Sequence, residues 1–132
     1  MTPDQAMSAV LDRMAGPFIW GQSDCCTSAS DVFCDLFGID PMASLRGHYT
    51  TEAGAMTIIR ANGGWRGMTR RCAAQAGLVD GRGAAGEIGL LKLPDRFVLA
   101  ACVGFGQWAG RVDGGFTTDG NVVACWQAVR DR

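Results

Sequence analysis

Apolar positions recur at helical spacing through the first half of the chain, then give way to short apolar runs separated by turn residues. Thr2, Pro3 and Gln5 form an N-cap, a first-turn proline and a capping box. Met7, Val10, Leu11 and Met14 follow at helical spacing until Gly16-Pro17 ends the run. After Phe18-Ile19-Trp20 and the turn Gly21-Gln22-Ser23-Asp24, a second helix is predicted from about Cys25 to Phe37. At roughly 100° per residue, Cys25, Cys26, Ala29, Val32, Phe33, Leu36 and Phe37 share one broad face. Asp24, Ser28, Asp31 and Asp35 make a polar stripe opposite. The pattern places this helix deep in the domain.

A third helix is predicted near Thr51–Ala61, closed by Asn62-Gly63-Gly64, and a fourth near Trp65–Ala76, ending at Gly77. Trp65, Met68 and Cys72 form the apolar side of the fourth. Arg66, Arg70 and Arg71 read as its solvated basic face.

From Glu87 onward the period changes. Glu87–Leu93, Arg96–Phe105 and Val122–Val129 are β-rich or apolar runs. Turn residues at Gly81–Gly86, Pro94-Asp95, Asp113-Gly114-Gly115 and Asp119-Gly120-Asn121 punctuate them. Helices followed by strands predict an α+β fold, with N-terminal helices packed on a small C-terminal antiparallel sheet. With no repeat or linker, residues 1–132 read as a single domain.

Composition narrows the functional classes. Apolar residues make up 48% and charged residues 19%, as in a globular domain. Twelve basic and 13 acidic residues give a net charge of −1, which disfavours a nucleic-acid binder. No apolar run is long enough to span a bilayer, so no membrane insertion is expected. Met1-Thr2-Pro3-Asp4 does not resemble a signal peptide, and synthesis in the cytoplasm is the expectation. Six cysteines occur without a C-x-x-C pair, and there is one histidine. Neither a metal site nor a cofactor is expected, and the cysteines read mainly as small core residues.

Two stretches invite a chemical reading. Gly81-Arg82-Gly83-Ala84-Ala85-Gly86 matches a dinucleotide fingerprint literally, but it leads into a strand where that site needs a helix. The second is Trp20-Gly21-Gln22-Ser23-Asp24-Cys25. Asp24 is suited to cap the helix, and a cysteine in the first turn gains thiolate character from the unpaired N–H groups and the helix dipole. Cysteine hydrolases use this arrangement, together with a histidine base and a third polar group that orients it.

Trp20-Gly21-x-x-Asp24-Cys25 at the head of a buried helix resembles the NlpC/P60 cysteine peptidases of the papain-like superfamily, and more particularly a compact branch encoded among phage tail genes. Gly47-x-Tyr49, the strand start Gly86-Glu87-Ile88 and Trp126 in a closing strand extend the resemblance from about Phe18 to Val129. It implies a papain-like fold, with Cys25 at the nucleophile position of enzymes that cleave γ-D-glutamyl linkages in cell-wall peptides. It also implies a His-x-Gly-Ile strand supplying the base. The corresponding stretch here is Ala100–Gly106, where Ala101 or Cys102 stands in place of histidine. Gln107 falls at the position of the third member.

His48 lies in Arg46-Gly47-His48-Tyr49, before the third helix, where the ordinary expectation is a loop histidine. The resemblance therefore implies a phage tail-tip or hub protein that has lost peptidase activity. Its expected partners are other tail proteins, with peptidoglycan as a further one, and its expected location is the virion. The alternative is an active murein endopeptidase using Cys25 with His48 or with a base from a partner subunit. Among the four tryptophans, Trp20, Trp65 and Trp126 fit core patterns. Trp108, in the glycine-flanked Gly106–Gly110 turn, is the candidate exposed partner contact.

Overall fold

The computed structural model describes residues 1–129. Four helices come first: α1 (Pro3–Arg13), α2 (Cys25–Phe37), α3 (Glu52–Ala61) and α4 (Gly64–Gln75). Six strands follow: β1 (Val79–Asp80), β2 (Ile88–Lys92), β3 (Phe97–Gly104), β4 (Gln107–Val112), β5 (Gly115–Asp119) and β6 (Val122–Gln127). They form one sheet in the order β1-β6-β2-β3-β4-β5, and every neighbouring pair is antiparallel. The α+β class and the helices-then-sheet order are as expected.

Local chemistry accounts for the helix boundaries. Thr2 and Gln5 form the capping box of α1, and Asp24 with Thr27 forms that of α2. Thr51 caps α3, while α2 ends on Gly38 in the left-handed conformation. The α2 face of Cys25, Cys26, Ala29, Val32 and Phe33 is buried against β3 and β4, with α1 packed beside it.

The polar stripe of α2 is less exposed than its pattern suggests. Asp24 and Ser28 are buried, and only Asp35 is exposed. Arg13 of α1 grips Asp35 through two bonds of 2.7 and 2.8 Å, and Arg46 bridges Asp31 and Asp40. These arginines cover the stripe, which is why α2 tolerates carboxylates while packed on several sides.

Trp108 requires a correction. The Gly106–Gly110 segment is not a turn: the turn is Phe105-Gly106, and β4 begins at Gln107. Trp108 therefore points inward and is 2% exposed, ruling it out as a surface contact. A Cβ on Gly89 of β2 would sit 2.7 Å from its ring, so a glycine two strands away makes the room it fills. The exposed aromatic is Phe105, 91% exposed in a left-handed conformation (φ 57°).

Candidate functional site

The site is built on the head of α2. In the preceding loop, Ser23 Oγ donates to Pro17 O at 2.6 Å and accepts from Ile19 N at 3.1 Å, closing a tight turn. The buried Asp24 carboxylate then gathers four donors. Oδ1 accepts from Cys26 N (2.8 Å) and Thr27 N (2.9 Å), and Oδ2 from Gly21 N (2.8 Å) and Tyr49 Oη (2.8 Å). Four charge-assisted bonds compensate for burying a carboxylate here, and its charge complements the helix N-terminus. Gly21 is required on two counts: its φ is 86°, and a Cβ would collide with Tyr49 O. Burial, reinforced by the neighbouring Cys26 and Asp24, pushes the Tyr49 phenol well above its usual range, so it remains a donor.

Cys25 lines a cleft of about 470 Å³. Phe18 and Trp20, in edge-to-face contact at 5.0 Å, border it from the loop before α2. Trp65 of α4 and Phe97 of β3 border it from the other side, their rings 6.5 Å apart. Met56 and Glu52 of α3 and the Asp95-Arg96 turn complete the rim.

Arg111 of β4 also reaches the cleft, although it is 1% exposed. Its guanidinium donates to the carbonyls of Met14 (2.6 Å), Gly16 (2.6 Å), Gly115 (3.2 Å) and Ser23 (3.3 Å). It also lies 5.9 Å from the Phe18 ring centroid. Among the described residues its charge meets no carboxylate. Arg111 thus anchors the loop that delivers Asp24 and Cys25, and sequence reasoning passed it over. A lone arginine within an apolar strand was the available signal.

The expected catalytic partners are placed elsewhere. His48 is exposed on the loop between α2 and α3 and does not line the cleft; its neighbour Tyr49 is the residue that turns inward to Asp24. The β3 residue bordering the cleft is Phe97, the first of the strand. The Ala100–Gly106 stretch runs away from it. At about 3.3 Å per residue, Gly104 lies roughly 23 Å along the strand. Gln107 pairs with Gly104 at that far end, exposed, and so does not face Cys25.

Cys102 instead donates to Gly83 O at 3.3 Å, in a second polar cluster around the buried Glu87. There the Arg82 and Gly83 N–H groups donate to the Glu87 carboxylate at 2.9–3.1 Å. The glycine loop that mimics a dinucleotide fingerprint therefore cradles an anion from its own chain.

All six cysteines are free thiols. Cys25 and Cys26 Sγ and an Asp24 carboxylate oxygen lie within 4.8 Å of one another, the one such grouping of three potential metal-ligand atoms among the described residues. Cys26 is held well above the usual thiol range, first by its hydrogen bond with Cys25 and then by burial.

No helix among the described residues is long and apolar enough to cross a membrane. No curated protein and no solved structure matches the chain. A family model described as a domain of unknown function, DUF6950, matches residues 2–128, which takes in every element from α1 to β6 and the whole of the cleft. The chain belongs to the DUF6950 family.

Proposed function

We propose that this domain is a catalytically silent relative of the NlpC/P60 peptidases, serving as a structural or interaction component of a phage tail tip. One observation carries the reading: a cysteine heads the buried helix and opens on a cleft, yet the only histidine of the chain is exposed on a loop outside it. The imidazole that serves such enzymes as general base is not among the residues lining the cleft. Phe97 is the β3 residue on the cleft, and the buried Arg111 is committed to backbone carbonyls.

The Trp20-Gly21-x-x-Asp24-Cys25 motif, the capped helix behind it and the antiparallel sheet support kinship with the peptidases. On this reading the partners are other tail proteins, and the protein resides in the virion. Mass spectrometry of purified particles tests it. The protein is expected in the particle in fixed ratio to tail proteins, and its absence from intact particles would contradict the assignment.

A further inference from the structure

We propose that Cys25 and Cys26 form a paired-thiolate site for one soft d10 cation, of the monovalent copper or divalent cadmium and mercury class, entering through the aromatic cleft. The proposal goes beyond the tail-component reading and does not depend on it. Geometry comes first. Metal–thiolate bonds of about 2.3 Å let one ion span two sulfurs up to about 4.6 Å apart, and less when the angle at the metal is bent. Cys25 and Cys26 Sγ lie within 4.8 Å of each other, so little or no side-chain adjustment is needed.

Access is the second argument. Cys25 is the one cysteine lining the cleft among the described residues; Cys72 faces a much smaller apolar cavity, and Cys102 is turned onto Gly83 O. An ion reaching Cys25 meets Cys26 at once.

Donor chemistry decides the class. The Asp24 carboxylate lies within the same grouping, but four donors already occupy its lone pairs, so it is not free to ligate. Within the grouping that leaves no free oxygen donor of the kind calcium or magnesium would require, and the Glu52 and Asp95 carboxylates on the cleft fall outside the grouping. What remains is two thiolates, with the Met56 thioether on the cleft as the one further sulfur. Thiolate and thioether donors select soft cations. Binding forms two metal–sulfur bonds and releases the two thiol protons to solvent, with no change of oxidation state.

Titration of the reduced, full-length protein with cadmium under anaerobic conditions tests the site, read by sulfur-to-metal charge-transfer absorption. The expected result is saturation at one equivalent. Affinity should fall at least tenfold in Cys25→Ser and in Cys26→Ser, and stay unchanged in Cys34→Ser and Cys125→Ser. Alkylation of the wild-type protein followed by peptide mapping supplies a reading that needs no variant: cadmium should protect the cleft residue Cys25 and leave Cys34 labelled. Absence of the band at one equivalent, its survival in both single variants, or equal labelling with and without cadmium would each overturn the proposal.

Discussion

The Tyr49 hydroxyl donates to Asp24 Oδ2 at 2.8 Å, joining the segment before α3 to the cap of α2. The bond crosses 25 positions of sequence and is buried, so it holds the cleft loop and the helix head as one unit. Tyr49→Phe removes the donor and leaves one site on a buried carboxylate unfilled. A loss of about 1.5–3 kcal/mol in urea unfolding is expected, as for hydrogen bonds to charged groups. A loss below the error of the measurement would show that the bond does not hold the cap.

Arg111 ties the same loop down from the sheet side. Arg111→Met leaves four carbonyls without their donor, that of Met14 fully buried and the other three partly so, and an unpaired buried acceptor costs on the order of 1–3 kcal/mol. The variant should lose at least ~3 kcal/mol, with Arg111→Lys intermediate because an ammonium offers three donors where the guanidinium offers five. Stability equal to wild type in Arg111→Met would refute the anchoring role.

At the opposite end of β3, Phe105 holds a left-handed conformation with its ring in solvent. Asn adopts that conformation readily and suits a tight hairpin followed by glycine. Phe105→Asn should therefore raise stability by up to about 1 kcal/mol. A lower melting temperature would mean that the exposed ring makes a contact important to the fold.

Thiol protonation gives the fold an alkaline limit. Burial raises the thiols of Cys72, Cys102 and Cys125, the last up to about 11 with Glu87 beside it. In the unfolded chain these groups ionise near ~8.5. The folded state keeps its protons to higher pH, so this contribution is complete below pH ~8.5 and declines as pH rises toward 11. The urea midpoint should fall across that window, and fall less in Cys125→Ala. A flat midpoint would contradict the burial of these thiols.

The legible parts of the fold were those set by neighbouring residues. The cap at Asp24, the buried face of α2 and the rejection of the glycine loop all follow from interactions within a few positions. Long-range relationships were invisible. Arg111 meets Met14 and Gly16 across 97 and 95 positions, and no local pattern announces such a partner. Trp108 was misplaced because flanking glycines read as a turn. Gly110 instead lets Val98 approach, its missing Cβ falling 2.7 Å from that side chain, while Gly89 makes room for the indole. The apolar-Gly-apolar pattern at Val103-Gly104-Phe105 likewise marks a strand without saying that its first residue, Phe97, is the one on the cleft.

On the proposed reading, the Cys25 cleft persists without peptidase chemistry. Incubating the reduced protein with murein peptides carrying a γ-D-glutamyl–diamino acid bond, with products resolved by mass spectrometry, tests it most directly. The wild-type protein and Cys25→Ser should give the same background of uncleaved peptide. Cleavage by the wild-type protein that disappears in Cys25→Ser would contradict the account and establish a working nucleophile.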